Sequence, residues 1–294
     1  MASEQDRILE MLASFRPKSV GELRIAIDSF APMLNANPPE VGAFHQDLDL
    51  RPGLRADVAV PKGAGPHPVV VYLHGGGWVA GSSRTDIKLV KQFAAAGYLT
   101  LNVDYRLAPE HPFPAGLEDC VFAIKWAGEN AKRWNGDASR LAVGGDSAGG
   151  NLTAASLLVL AAERYAGPKP GAALLLYGVY DFAGLAAHDP LGATEMMARA
   201  YLGGQYPAAY ADPRVSPIEG IEPGALPPSF IICGTADPLM AQSRELAEAL
   251  KRADIRNELH AMESMPHAFM QMDFLPGCGE GHRLMFDFLQ RTLR

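Results

Sequence analysis

The sequence predicts an α/β fold built on a mostly parallel sheet flanked by helices, and three observations carry that expectation. Short apolar runs alternate with helix-patterned segments along most of the chain. Two of those runs end in glycine clusters, His74-Gly75-Gly76-Gly77-Trp78 and Gly144-Gly145-Asp146-Ser147-Ala148-Gly149-Gly150. The 294 residues, 48% hydrophobic and 20% charged, suffice for one large core carrying a modest cap.

Taken in order, residues 1–15 place Ile8, Leu9, Met11, Leu12 and Phe15 at helical spacing, and 20–34 form a weaker helix before Pro38 and Pro39. Residues 47–60 alternate and start the sheet. The apolar run 68–73 reads as an interior strand, followed by a helix over 85–96, a strand over 98–105, a long helix over 114–134 and a strand over 140–143. A helix over 151–160 and a strand over 172–177 come next. Residues 183–221, with Met196, Met197, Tyr201, Leu202, Tyr206 and Tyr210 among glycines and prolines, break the alternation and read as a lid. Alternation resumes with strands over 230–233 and 255–262 and helices over 240–252 and 282–293. The expected division is a helical cap of 1–40 and 183–221 on a catalytic core of 41–182 and 222–294.

A net charge of -7 argues against nucleic acid or an anionic membrane as the main partner, since either needs a basic face, and small neutral substrates fit better. Glu4, Asp6 and Arg7 precede any apolar run and no eighteen apolar residues occur together, so no signal peptide, spanning helix or stable membrane association is expected, and the cytoplasm is the default compartment. Cys120, Cys233 and Cys278 lack the close spacing of zinc ligands and read as reduced, buried residues. The edge-like strand 255–262 could pair across a two-fold axis in a homodimer.

Gly145-Asp146-Ser147-Ala148-Gly149 sits between a strand and a helix former, where only small neighbours let the backbone pass close to an exposed serine; it reads as a nucleophile elbow. The bland reading, a glycine-rich phosphate cradle, lacks the Lys-Ser or Lys-Thr pair of a Walker motif. A serine hydroxyl needs a base, and the base needs a carboxylate to fix its tautomer. Such groups lie just beyond the carboxyl ends of strands. Asp237 and His267 occupy those places, in the chain order Ser147, Asp237, His267 expected of an α/β-hydrolase sheet. Asp237-Pro238 has a rival role as a helix cap, whereas His260 and His282, inside a strand and a helix, read as structural. The backbone N–H groups of Gly75, Gly76 and Ala148 are the natural oxyanion donors. Phe30, Leu34, Trp78, Met196, Met197, Tyr201 and Leu202 are expected to line an acyl pocket of short to medium reach.

The stretches His74-Gly75-Gly76-Gly77-Trp78, Asp104-Tyr105-Arg106-Leu107-Ala108-Pro109-Glu110-His111-Pro112-Phe113-Pro114-Ala115 and Gly145-Asp146-Ser147-Ala148-Gly149-Gly150-Asn151 resemble, in this order, the hormone-sensitive lipase-like esterases, the bacterial family IV group of α/β hydrolases. The resemblance covers residues 68–151, and Asp237 and His267 match the family's acid and base positions. It implies carboxylester hydrolysis, no metal or organic cofactor, and a cap made of the N-terminal helices plus the later insertion. Two positions depart from the pattern: Ala268 follows His267 where glycine is usual, and Gly116 replaces an alanine. The alternatives are hydrolysis of an amide or arylformamide by the same groups, and a non-catalytic small-ligand receptor on the same fold, against which the presence of His267 argues.

Overall fold

The computed structural model describes residues 15–188 and 193–294. The expected first helix, apart from Phe15, lies outside the described residues. The chain runs α1 (Val20–Leu34), β1 (Ala43–Arg51), β2 (Leu54–Val60), β3 (His67–Leu73), α2 (Ile87–Ala95), β4 (Leu99–Asp104), α3 (Ala115–Asn130), β5 (Gly136–Asp146), α4 (Ala148–Ala162) and β6 (Ala172–Leu176). It continues through α5 (Phe182–His188), α6 (Thr194–Leu202), β7 (Ser229–Gly234), α7 (Met240–Arg252), β8 (Asn257–Met262) and α8 (Pro276–Thr292).

The eight strands form one sheet in the order β1-β2-β4-β3-β5-β6-β7-β8. The pairs β1/β2 and β2/β4 are antiparallel, and every pair from β4/β3 to β7/β8 is parallel. Both faces are apolar, as a sheet covered by crossover helices requires. Along β3, Val69, Val71 and Leu73 join one buried cluster, while Val70 and Tyr72 join the other. Residues of α3, α4 and α7 such as Ile124, Leu152 and Leu250 complete the first cluster, and Phe93 of α2 with Phe288 of α8 complete the second.

That division positions the site. The chain leaving β3 goes to a helix on one face, and the chain leaving the adjacent β5 goes to a helix on the other. Loops that part in this way open a crevice beyond the strand ends.

Two expectations on element bounds need correction. Residues 47–60 are not one strand but the larger part of a hairpin, β1 and β2, closed by the two residues Pro52-Gly53 with Arg51 facing Leu54. The last helix begins at Pro276, six residues before His282, because a proline suits the first helical position while Gly277, Gly279 and Gly281 mask the apolar period. The expected lid is ordered over its described part as α5, α6 and three short 3₁₀ turns. The three cysteines are buried and unpaired.

Candidate active site

Ser147 stands between β5 and α4 with φ 53° and ψ -117°, a conformation non-glycine residues rarely adopt. Its N–H donates to the Leu176 carbonyl at 2.9 Å, which pins the turn to β6. The turn closes because Gly149 has no side chain: a Cβ there would lie 1.9 Å from the Leu73 carbonyl oxygen. The ends of β3 and β5 are thereby pressed together.

His267 reaches this turn from the loop after β8. Its Nε2 lies 3.0 Å from Ser147 Oγ, and its Nδ1 lies 2.8 Å from Asp237 Oδ2. Asp237, beyond β7, fills both roles open to it: Oδ1 accepts the Leu239 N–H at 2.8 Å at the start of α7, and Oδ2 faces the imidazole. The Asp237 side chain is fully buried and that of His267 is 27% exposed. Burial pulls the His267 pKa down, but the Asp237 charge and hydrogen bond, with the more distant Asp146 charge, outweigh it and leave the pKa above 6.5. Ala268 takes the left-handed conformation at φ 62°, so its Cβ is accommodated with His267 still in hydrogen-bond reach. At Gly116 the departure has a steric cause, since a Cβ would come within 2.8 Å of the Arg106 carbonyl oxygen.

The loop after β3 corrects one expected donor. Gly75 N–H is already engaged, donating to Asp146 Oδ1 at 3.0 Å. Among the described residues, the N–H groups of Gly76 and Gly77 donate to no protein atom. The donor set that the geometry leaves free is therefore Gly76, Gly77 and Ala148, one residue further along the glycine run than the sequence suggested. Gly76 must be glycine, because at φ 118° its Cβ would lie 2.1 Å from the Ala80 carbonyl oxygen. His74 braces the loop from below: its ring stacks on Tyr105 at 4.3 Å and its Nδ1 lies 2.7 Å from the Gly75 oxygen. Burial lowers the His74 pKa and keeps the ring neutral, so Nδ1–H is the donor.

The seven residues expected to line an acyl pocket are not gathered round one cavity. Trp78, Tyr201 and Leu202 are at most 2% exposed. Trp78 packs between Tyr201 at 4.9 Å and Phe182 at 4.8 Å and donates from Nε1 to Asn151 Oδ1 at 3.1 Å. Leu34 packs on the opposite cluster, with Tyr72 and Phe93, and Phe30 is half-buried on α1. Met197 borders the glycine loop, its sulfur packed where a Gly77 side chain would stand; Met196, half-buried, packs on the same cluster as Met197. The side of α6 bearing Met197, Ala198, Tyr201 and Leu202 turns inward at helical spacing, so these residues are spent on packing within the first buried cluster.

Asn151, Asp146 and Gln271 belong to the site's scaffold without having been singled out. Asn151 donates from Nδ2 to the Val179 and Val215 carbonyls, both at 2.8 Å, tying α4 to the chain before α5 and after α6. Its signal was its place at the end of the elbow motif. Gln271, four residues past His267, carries no spacing signal. Among the described residues no cluster of three or more His, Cys, Asp or Glu side chains is disposed to hold a metal ion, and no helix is long and apolar enough to cross a membrane.

Comparison with known proteins agrees with this architecture. Residues 70–271 match the family model described as α/β hydrolase fold. The chain is 37% identical over 240 residues to the carboxylesterase NlhH of Mycobacterium tuberculosis, covering 77% of this chain and 74% of the relative. It is 34% identical over 255 residues to the carboxylic ester hydrolase LipN of the same organism, covering 81% and 68%. Among solved structures, the hyperthermophilic esterase of Pyrobaculum calidifontis superposes with a TM-score of 0.87 at 28% identity, covering 99% of this chain and 98% of that one. By sequence, fold and motif order alike, the chain belongs to the hormone-sensitive lipase-like, bacterial family IV esterases of the α/β-hydrolase superfamily.

Proposed function

We propose that this carboxylic ester hydrolase cleaves short- to medium-chain acyl esters through a Ser147-His267-Asp237 triad and an acyl-enzyme. The observation that carries the reading is the unbroken line of contacts, 3.0 Å from Ser147 Oγ to His267 Nε2 and 2.8 Å from His267 Nδ1 to Asp237 Oδ2. Neutral His267, held with its proton on Nδ1 by Asp237, takes the Ser147 proton as Oγ attacks the ester carbonyl. The oxyanion that forms meets the free N–H groups of Gly76, Gly77 and Ala148, each worth on the order of 3 kcal/mol of barrier. His267 then returns the proton to the leaving alcohol, and water, activated by the same imidazole, releases the acid. The N-terminus of α4 adds a favourable dipole at Ala148.

A limited acyl length is supported by the cap: Trp78, Phe182 and Tyr201 spend their surface on one another and Met197 closes on the glycine loop. The test is hydrolysis of p-nitrophenyl esters from acetyl to palmitoyl, beside Ser147→Ala. Turnover should peak at short or medium chains and fall at least about 10⁴-fold in the variant, with its circular dichroism unchanged. A peak at palmitoyl would overturn the chain length, and an active Ser147→Ala enzyme would overturn the mechanism.

A further inference from the structure

Beside Ser147 lies a buried polar cluster that the mechanism above does not use. Asp146, 4% exposed, accepts at Oδ1 from Tyr72 Oη at 2.8 Å and from Gly75 N–H at 3.0 Å. The Gln271 side-chain amide, near enough to Asp146 to act on its pKa, donates from Nε2 to Asp86 Oδ1 at 3.2 Å. Gln271 Oε1 in turn accepts from Tyr177 Oη at 2.7 Å, and the Tyr177 ring meets the His267 ring edge-on at 5.2 Å. One amide thus joins the His267 loop to the loop before α2, beside the residue before Ser147.

Asp86, 5% exposed, closes the cluster, and its partner bears on where a proton sits. Thr85 Oγ1 lies 2.6 Å from the Ser82 carbonyl oxygen, which can only accept, so the single hydroxyl proton is spent there. Thr85 Oγ1 is also 3.0 Å from Asp86 Oδ2. Thr85 Oγ1 thus faces two acceptors with one proton, and a proton on Asp86 Oδ2 would complete the second contact. Asp146 meets the Tyr72 hydroxyl and the Gly75 N–H, both donors, and burial raises the pKa of both carboxyls. Burial and the neighbouring Asp146 charge act in the same sense, pushing the Asp86 pKa up to about 8.

We propose that Asp86 is a positioning residue: a proton-carrying carboxyl that, through the Gln271 amide and Asp146, holds the His267 loop and the glycine loop in register with Ser147. The proposal rests on the esterase reading for its kinetic consequence. When Asp86 ionises, two adjacent buried carboxylates face one amide, and the hydrogen bond to Thr85 loses its proton. Turnover should then fall above about pH 8. The groups facing Asp86 are Asp146 on the elbow, Tyr72 on β3, Tyr177 after β6 and Gln271 after β8, with Lys88, Asp273, Cys278 and His282 around the adjoining crevice. Burial pushes both tyrosines well above 10 and Cys278 to about 12, and lowers His282 to about 4, so none of these four titrates in that window.

The test pairs Asp86→Asn with Asp86→Ala. The asparagine amide can donate to Thr85 and its oxygen can accept from Gln271, as the neutral acid does. Asp86→Asn should retain kcat at neutral pH and lose the alkaline fall, whereas Asp86→Ala should lower kcat about tenfold or more with KM near wild type. Independently of turnover, the infrared spectrum of the intact protein at neutral pH should show an un-ionised carboxyl band that vanishes in Asp86→Asn. Loss of kcat in Asp86→Asn as deep as in Asp86→Ala, or no such band in the wild type, would overturn the proton assignment. A band present with an unaltered pH profile in Asp86→Asn would overturn the positioning role. A wild type that turns over no ester would sink the esterase reading, and with it the positioning role, while the band still decides the proton.

Discussion

The loops that carry Ser147, Asp237 and His267 and the helices α1 and α6 are held by different forces. Ser147, Asp237 and His267 are joined by hydrogen bonds between the loops that leave β5, β7 and β8, and each stands within a few residues of a strand end. Helix α6 is fastened chiefly by apolar burial, with Tyr201 stacked on Trp78 and edge-on to Phe113, whose N–H donates to the Tyr201 carbonyl at 2.7 Å. Helix α1 buries no residue fully and is tied down by Arg24, which pairs with Glu110 and donates to the Val79 and Ala108 carbonyls. The difference teaches that Ser147, Asp237 and His267 inherit their positions from the sheet, while α1 and α6 depend on which side chains fit together.

The strongest way to break this comparison is through Asp237. Asp237→Asn should lower kcat by about 10³–10⁴-fold with the melting temperature little changed, because the tautomer of His267 is lost and not the packing. Its pH profile should move as well. Wild-type turnover needs neutral His267, whose pKa is raised above 6.5, so activity should fall as pH drops through that raised value. Without the Asp237 charge the acid limb should move to lower pH; an unmoved limb would assign it to another group.

At α6 the balance reverses. Tyr201→Ala should cost about 3–5 kcal/mol in unfolding free energy, read by denaturant titration, since it empties a site 2% exposed against three aromatic rings. A loss below about 1 kcal/mol would mean that α6 is not fastened by this stack. Ala268→Gly sharpens the comparison at its smallest scale. Relief of the left-handed strain at φ 62° is partly offset by the flexibility of glycine when unfolded, leaving a net gain under about 1 kcal/mol and turnover within about twofold.

The same contrast explains what was legible in the sequence. Strand ends and glycine turns announce themselves locally, so the meeting of Ser147, Asp237 and His267 was legible from position and the sheet from its alternating runs. Gly75 was misread by one residue because the direction of a backbone N–H depends on the φ of Gly76 and on a carboxylate seventy-one residues away in sequence. Leu34 and Tyr201 were both visible as apolar helix residues, yet they lie on opposite clusters, a fact set by packing that no period encodes. The β1–β2 hairpin was hidden because alternation runs on past Pro52-Gly53, and Gln271 because an amide in a loop has no pattern to betray it.

The most direct test of the central claim is the intact mass of the protein after reaction with a p-nitrophenyl phosphonate, followed by peptide mapping. The account predicts one phosphonyl group per chain, on Ser147, appearing in step with the loss of ester turnover and absent from Ser147→Ala. A protein that stays unmodified, or carries the group elsewhere while ester turnover persists, would contradict it.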